Sequence, residues 1–264
     1  MPYTSVNGIK IYYEVHGTGH PLLMIQGFTR NSLCWQPMIE KLKDKYQIII
    51  LDNRGSGRSQ HPSPPYNMDM LAKDVVELLK TLNIPKVSIF GHSMGGAIAM
   101  QLCLDHPDLV EKIIICSSFA KVPYTSLMQI DTFAQMAIAD VPIEFIYEIA
   151  LPWLFSSKCL EIPGHPEMII EKMVKDPHPQ EPEGYMGQGE ALKQFDISSR
   201  LSEIKKPCLI MVGKEDLYAP VSCSEFMKEN IEKAQMKIIP HQGHMVNEEF
   251  PELICHEIQT FLGS

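Results

Sequence analysis

The segment from Val87 to Met100 constrains the fold of this chain more strongly than any other. Its first four residues, Val87-Ser88-Ile89-Phe90, form an apolar run that predicts a short strand. From Ala97 onwards, small and unbranched residues favour a helix. Between these parts lies Gly91-x-Ser93-x-Gly95-Gly96, and a strand that passes directly into a helix needs small residues at the turn. We therefore expect Ser93 at the tip of a strained turn, with its hydroxyl projecting from it.

The motif has a plain alternative interpretation, a glycine-rich turn with an incidental serine. A bare Gly-x-Ser-x-Gly arises by chance in roughly one chain in ten of this length. The strand before the motif and the helix after it favour a functional serine, because this arrangement exposes the hydroxyl at the start of a helix. The first N–H groups of that helix, and its positive end, would point at whatever binds beside Ser93.

Length, charge and cysteine content exclude several classes of protein. A chain of 264 residues suits one large α/β domain, or a domain with an insertion. The net charge of −9 argues against a nucleic-acid or anionic-membrane partner. No apolar run approaches the roughly 20 residues of a membrane span, and we see no signal peptide. Seven scattered cysteines without a Cys-x-x-Cys pair predict reduced thiols in a cytoplasmic protein.

Strands and helices are expected to alternate along most of the chain. A hairpin signal at Asn7-Gly8 is followed by apolar strands at 21–25, 46–51, 87–90, 112–116, 207–212 and 236–239. Helices are predicted at about 69–82, 221–231 and 251–262, and one capped by Ser32 at about 32–43. This alternation predicts an α/β fold, with a mostly parallel central sheet and helices on both faces. Binding sites in such sheets form at the carboxyl ends of the strands.

Residues 119–206 interrupt the alternation. The segment has no strong strand, and repeated prolines divide an apolar sequence into short helices. One interpretation is a helical packing layer. The other, which we favour, is a helical lid, inserted into a core made of residues 1–118 and 207–264, whose inner face lines a substrate pocket. The pocket residues that this predicts are Trp153, Phe133, Met136 and Phe155.

Two late strands end near residues that could activate Ser93. A serine hydroxyl needs a neighbouring base, and the base needs a carboxylate that orients it. Asp216 and His244 follow the last two strands, in the order expected for a serine on such a turn. Weaker alternatives are His92 as base, Glu215 or Asp196 as acid, and a metal site at His241 and His244. We expect no metal, and we expect Asp52 to be a hydrogen-bonding residue at a strand end.

With these motifs in order, the chain resembles the α/β-hydrolases over essentially its whole length. The matching motifs are the Gly-x-Ser-x-Gly turn, Asp-x-Arg-Gly-x-Gly-x-Ser at 52–59, Gly-x-x-Asp at 213–216 and Gly-His at 243–244. The subgroup it resembles most is the small lidded esterases and lactonases around 3-oxoadipate enol-lactonase. The resemblance implies Ser93 as nucleophile, Asp216 as acid and His244 as base. It also implies an oxyanion hole made by the backbone N–H groups of Phe28 and Met94.

One departure concerns the loop after the third strand. The family commonly has His-Gly there, whereas this chain has Gln26-Gly27. Because the implied donors are backbone groups, the departure concerns the shape of the loop and not the mechanism.

The implied activity is hydrolysis of small carboxylic esters or lactones through an acyl-enzyme, without metal or organic cofactor. We expect a small-molecule substrate, no nucleic-acid or membrane partner, and a monomer or homodimer. The alternatives are a thioesterase, C–C hydrolase, perhydrolase or acyltransferase with the same triad, or a ligand receptor or regulator on this fold. The apolar lid favours an apolar acyl or alcohol group. A dicarboxylate would need a cation, for which Arg30 and the lid lysines are candidates.

Overall fold

Eight β-strands form one sheet in the computed structural model, which describes residues 2–263. The strands are β1 (Tyr3–Val6), β2 (Ile9–His16), β3 (His20–Ile25), β4 (Tyr46–Leu51), β5 (Val87–His92), β6 (Val110–Cys116), β7 (Cys208–Gly213) and β8 (Ala234–Ile239). Their spatial order is β1-β2-β4-β3-β5-β6-β7-β8. The β1–β2 and β2–β4 pairs are antiparallel, and all other pairs are parallel. The predicted fold class is confirmed.

Helices cover both faces of the sheet. They are α1 (Gln36–Leu42), α2 (Met68–Thr81), α3 (Met94–Asp105), α4 (Tyr124–Ile138), α5 (Ile143–Leu154), α6 (Ser157–Leu160), α7 (His165–Val174), α8 (Pro182–Gln194), α9 (Val221–Asn230), α10 (Val246–Glu249) and α11 (Pro251–Gly263). Residues of α2, α3 and α9 share one buried apolar cluster, and residues of α1 and α11 share another. The two clusters lie on opposite faces of the sheet, so its central strands are buried on both sides.

The uniformly apolar strands follow from this arrangement. Successive side chains of a strand point to opposite faces. In β3, Leu22 and Met24 therefore join the cluster of α1 and α11, whereas Leu23 and Ile25 join that of α2 and α3. A strand in this position needs apolar residues at every place.

The helix expected after Ser32 begins differently from the prediction. Asn31, and not Ser32, caps this segment, because its side chain accepts a hydrogen bond from the Leu33 N–H at 3.1 Å. A 3₁₀ turn at Ser32–Trp35 precedes α1. The Ser32 hydroxyl donates to the buried Asp52 carboxylate at 2.6 Å and is therefore not free to cap. The prediction of Ser32 as the cap is wrong because the partner of its hydroxyl, Asp52, lies 20 residues further along the chain and leaves no local signal.

Five helices, α4 to α8, fill the segment predicted as a lid. An isolated bridge between Lys121 and Asp196 joins the beginning and end of the segment. Helix α8 packs directly on the loop of residues 52–59, where a Cβ added to Gly184 would lie 2.1 Å from the Gly55 carbonyl oxygen. The Gln188 amide donates to the Arg54 carbonyl at 2.8 Å. The division into core and lid stays a prediction.

A buried ion pair anchors the same loop to α2. The Arg54 guanidinium donates to the Asp74 carboxylate at 2.6 and 2.7 Å, and both side chains are almost fully buried. The Asn7 amide donates to Asp74 as well, at 2.9 Å. Removal of one partner from a buried pair leaves an uncompensated charge, which costs more than the pair contributes.

Asp74→Asn should therefore lower the free energy of unfolding by about 3–5 kcal/mol, because the Arg54 charge stays buried. Glu77→Gln is the matched control on the same helix, since Glu77 forms an exposed pair with Lys80 at 2.8 Å. That control should change stability by at most about 1 kcal/mol. Urea denaturation of the purified proteins measures both values. Equal effects of the two substitutions would contradict the role of the buried pair.

Candidate active site

The candidate residues lie at one edge of the sheet, where four parallel strands end together. Gly91 is paired with Ile25 of β3, and His92 with Cys116 of β6, which is in turn paired with Met211 of β7. Ser93 follows β5 directly, at the centre of this edge. The carboxyl ends of parallel strands meet at such an edge, which is where sites form in open α/β sheets.

Ser93 has a strained backbone, as the motif predicts. Its φ of 54° and ψ of −121° are unusual for a residue with a side chain. The turn is held by bonds from the Ser93 N–H to the Cys116 carbonyl at 2.9 Å and from the Ser118 hydroxyl to the Ser93 carbonyl at 2.7 Å. A Cβ on Gly91 would lie 2.3 Å from the Gly95 carbonyl oxygen. Only glycine allows β5 and α3 to approach this closely.

Asp216 and His244 are in direct contact. The His244 Nδ1 lies 2.9 and 3.0 Å from the two Asp216 carboxylate oxygens, and both residues are buried. The Ala219 N–H also donates to Asp216 at 2.8 Å, which fixes the carboxylate. A carboxylate only accepts hydrogen bonds, so the proton is assigned to Nδ1 and the Nε2 lone pair is left for another partner.

The competing acids have other partners. The Glu215 carboxylate accepts a hydrogen bond from the Ser157 N–H at 2.8 Å. Lys121 forms an ion pair with Asp196 at 2.9 Å, and this contact holds the pKa of Asp196 down to about 2.

Among residues 2–263, His244 forms hydrogen bonds with Asp216 and with the His92 side chain but not with Ser93. Catalytic hydrogen bonds commonly tighten only when substrate is bound.

The backbone donors predicted for the oxyanion hole are available. Met94 is the first residue of α3, and neither its N–H nor that of Phe28 donates to a protein acceptor within the described residues. The Gln26 side chain shapes the Phe28 loop, because its amide oxygen accepts the Gly27 N–H at 2.9 Å. The Asn53 amide donates to the Gln26 carbonyl at 3.1 Å. The departure from His-Gly at this position thus still leaves a loop braced by hydrogen bonds.

His92 has a role that the sequence did not indicate. Its Nε2 lies 2.9 Å from the His244 carbonyl oxygen, so Nε2 donates and the ring supports the His244 loop. Burial lowers the pKa of His92 to about 3, which keeps the ring neutral. With its pKa held at about 3, the His92 ring takes up a proton poorly at neutral pH and is not suited to act as the base.

Tyr218 is a second residue that sequence reasoning missed. Its ring centroid is 5.2 Å from that of His244 and 5.7 Å from that of Trp153. The aromatic residue two places after Asp216 was the available signal, but nothing local shows which way such a ring points. Tyr218 therefore links the predicted pocket residue Trp153 to the Asp216–His244 pair.

The remaining predicted pocket residues have different surroundings. Phe133 and Met136 are half-buried on α4. Phe155 is buried in a separate apolar cluster with Leu151, Cys159, Ile169 and Met245. That environment indicates a packing role for Phe155, and its role in a pocket stays a prediction. Two surface clefts of about 160 and 230 Å³ lie elsewhere, and no triad residue lines either of them.

Arg30, the candidate cation for a dicarboxylate, already has a counter-ion. Its guanidinium donates to the Glu248 carboxylate, which also lies 3.7 Å from Lys172. Other lid lysines are paired as well, Lys193 with Asp131 at 2.6 Å and Lys175 with Glu171.

No group of three or more His, Cys, Asp or Glu side chains in the part of the chain described here could hold a metal ion. No helix within residues 2–263 is both long and apolar enough to span a membrane.

Comparison with known proteins places the fold and the motifs in one family. A family model described as the alpha/beta hydrolase fold matches residues 20–148. The chain is 30% identical over 241 residues to 3-oxoadipate enol-lactonase 2 of Acinetobacter baylyi, covering 91% of this chain and 88% of the relative. The chain belongs to the α/β-hydrolase family. The resemblance predicted from the motifs is thereby confirmed.

Two further matches cover nearly the whole chain. A putative carbamate hydrolase, RutD, of Azorhizobium caulinodans is 24% identical, over 100% of this chain and 98% of its own length. The solved structure of a thermophilic esterase from Thermogutta terrifontis, with malate bound, superimposes with a TM-score of 0.86 at 27% identity, over 99% of this chain and 96% of that one. This chain thus spans the full architecture of both hydrolases.

The low pKa of His92 makes the stability of this hydrolase depend on pH. Burial lowers the pKa from 6.5 to about 3, so the unfolded chain binds this proton more readily than the folded one. Stability should therefore fall as the pH falls from about 6.5 towards 3, by up to about 1.4 kcal/mol per pH unit from this residue. In His92→Gln this contribution should be absent, as urea denaturation between about pH 4 and pH 7.5 would measure.

The control for this measurement is His256→Gln on the exposed face of α11. It should keep the slope of the wild-type protein. If His92→Gln also keeps that slope, the buried neutral state of His92 is wrong.

The contact between Asp216 and His244 leads to a second prediction. Asp216→Asn should lower kcat by about 10⁴-fold, because the ring loses the group that selects its tautomer. Glu215→Gln and Asp196→Asn should each stay within about tenfold of the wild-type protein, since neither carboxylate reaches His244. Ester hydrolysis at saturating substrate measures all three. A larger loss in either control than in Asp216→Asn would assign the acid to another carboxylate.

Proposed function

We propose that the protein is a serine hydrolase that cleaves small carboxylic esters or lactones through an acyl-enzyme. The observation that carries the proposal is the convergence of three groups at one sheet edge. These are Ser93 on a strained turn, the buried Asp216–His244 pair, and the N–H groups of Phe28 and Met94, which have no protein acceptor among residues 2–263. Each group has a defined part in acyl transfer.

Acylation uses all of these groups. The Ser93 hydroxyl oxygen attacks the substrate carbonyl carbon while His244 Nε2 takes the hydroxyl proton. Asp216 stabilises the positive charge that develops on the ring. The carbonyl oxygen becomes an oxyanion, which the N–H groups of Phe28 and Met94 bind. When the intermediate collapses, the bond from carbon to the leaving oxygen breaks, and that oxygen takes the proton from His244.

Deacylation repeats the sequence with water as nucleophile. His244 takes a proton from water, whose oxygen attacks the acyl carbon, and the bond from carbon to Ser93 then breaks. The proton returns to the Ser93 oxygen, and a carboxylic acid is released. With a lactone, the leaving hydroxyl stays attached to the acyl chain, so the product is a hydroxy acid.

The relatives support an ester-like substrate and leave its class open. An enol-lactonase and an esterase share the fold with this chain, and the carbamate hydrolase RutD supports carbamates as a second candidate class. Thioester or C–C cleavage, perhydrolysis and acyl transfer would use the same groups. A receptor or regulator on this fold would bind a ligand without turnover. The ion pairs of Arg30, Lys172, Lys175 and Lys193 favour an uncharged substrate over a dicarboxylate.

We further propose that the protein acts in the cytoplasm on a small molecule, as a monomer or homodimer and without a nucleic-acid or membrane partner. All seven cysteines are free thiols, and six of them are buried. Free thiols persist in a reducing compartment. The net charge of −9 also disfavours nucleic acid and anionic membranes as partners.

Ser93→Ala should abolish labelling by a fluorophosphonate probe and lower kcat for a p-nitrophenyl ester by about 10⁶-fold, because the nucleophile is removed. The exposed Ser63 provides the control, and Ser63→Ala should be labelled like the wild-type protein. Mass spectrometry of the labelled peptide identifies the modified residue. Labelling of Ser93→Ala at the wild-type level would exclude Ser93 as the nucleophile. An unlabelled wild-type protein that still binds lactones would support a receptor instead.

A further inference from the structure

Gln129 on α4 is a buried polar side chain without a partner. The residue is only 7% exposed, and neither its amide nitrogen nor its amide oxygen forms a hydrogen bond within residues 2–263. A buried amide without partners is unfavourable, and the large majority of buried polar groups in native proteins do have a hydrogen-bond partner. The α4 helix otherwise places polar residues such as Asp131 and Thr132 on its exposed side.

One end of the buried face of α4 contacts the acid side of the site. Ser126 lies three residues before Gln129, so the two share a helix face. The Ser126 hydroxyl donates to the Tyr218 carbonyl at 2.7 Å. The Tyr218 ring in turn lies 5.2 Å from the His244 ring. The helix turn before Gln129 is therefore seated on the loop that carries Asp216.

The other end of this face borders the oxyanion side. The Ile130 carbonyl accepts a hydrogen bond from the Tyr185 hydroxyl at 2.9 Å, and the Tyr185 ring lies 4.7 Å from the Phe28 ring. A Cβ added to Gly189 would lie 3.6 Å from the Ile130 side chain and 4.0 Å from that of Phe28. Gln129 thus lies on the buried side of α4, between Ser126, which is bonded to Tyr218, and Ile130, which is bonded to Tyr185 beside Phe28.

The surroundings of Gln129 decide the kind of group it would bind. The side chains packed at the two ends of this buried face are apolar or aromatic, with Ile130, Phe28 and Tyr185 at one end and Tyr218 at the other. The Tyr185 hydroxyl already donates to the Ile130 carbonyl. Asp131, the charged residue two places further along α4, is paired with Lys193 at 2.6 Å. A neutral carboxamide offers two N–H donors and one acceptor. It therefore suits an uncharged hydrogen-bonding group and gives no charge attraction to a carboxylate.

We propose that Gln129 forms a polar subsite for a second, uncharged carbonyl-containing group of the substrate, such as an amide or a ketone. This rests on the proposed function of Ser93 and adds a substrate class to it. The Gln129 N–H donates to the second carbonyl oxygen, and the Gln129 oxygen accepts an N–H where the substrate has one. The aromatic side chains around Gln129 contact the apolar part of the same substrate.

Three p-nitrophenyl esters of equal acyl length test this subsite: the hexanoate, the 5-oxohexanoate and the N-acetyl-β-alanine ester. Because their leaving group is the same, the ratio of kcat/KM for a polar ester to that for the hexanoate isolates recognition of the second group. In Gln129→Leu, which keeps side-chain size, this ratio should fall roughly ten- to hundredfold, since the substrate carbonyl is buried unpaired. In Gln129→Glu the ketone ester should lose most, because a carboxylate has no proton to donate.

Gln135→Leu is the matched control, since Gln135 lies on the exposed side of the same helix. Its ratios should equal those of the wild-type protein. Equal ratios in Gln129→Leu and Gln135→Leu would overturn the subsite, as would a lower melting temperature of Gln129→Leu with unchanged ratios, which would assign Gln129 to packing alone. The hexanoate reaction and its dependence on Ser93 separate the two proposals. If the wild-type protein hydrolyses none of the three esters, the proposed function fails and the subsite fails with it.

Discussion

The backbone of Ser93 is the constraint on which the site depends. Its φ of 54° is unfavourable for a residue with a side chain and persists only where the surroundings enforce it. Strand β5 supplies that enforcement, because it is hydrogen-bonded to β3 on one side and to β6 on the other. Helix α3 packs so closely that a Cβ on Gly91 would collide with the Gly95 carbonyl, and a Cβ on Gly95 would collide with the Ile25 carbonyl of β3. Tertiary packing thus stabilises a backbone conformation of Ser93 that is unfavourable in an isolated chain.

Two carboxylates, the buried Asp52 and the half-buried Glu249, extend this rigidity to the loops around Ser93. Asp52 accepts hydrogen bonds from Ser32 and Arg58, so the loop after β3 and the loop after β4 share one anchor. Glu249 accepts from the Gly243 N–H at 2.8 Å and from Ser156, which ties the His244 loop to the end of α5. Burial raises the pKa of Glu249. The site is therefore preorganised by residues that lie behind it, as electrostatic stabilisation of an oxyanion requires.

The lid is joined to the core through both polar and apolar contacts. Helix α8 lies on Gly55, and α4 is tied to the Asp216 loop through Ser126. These contacts fix the positions of α8 and α4 in the segment predicted as a lid. The subsite that we propose at Gln129 adds one amide to mostly apolar surroundings, which suits a mostly apolar substrate that carries one polar group. Specificity on this fold resides in such side chains, since the core is shared by hydrolases with different substrates.

The sequence by itself determined the fold class, the strained turn at Ser93 and the positions of Asp216 and His244 after the last two strands, because local patterns mark each of them. Apolar runs mark buried strands, and Gly91 and Gly95 mark a turn that no other residue could make. Only the tertiary structure decided that Asn31 replaces Ser32 as a cap, that Arg30 is neutralised by Glu248, and that His92 supports the His244 carbonyl. These outcomes depend on partners that lie 20, 218 and 152 residues away in the chain. Local pattern carries no information about such contacts, which exist only once the sheet has brought distant loops to one edge.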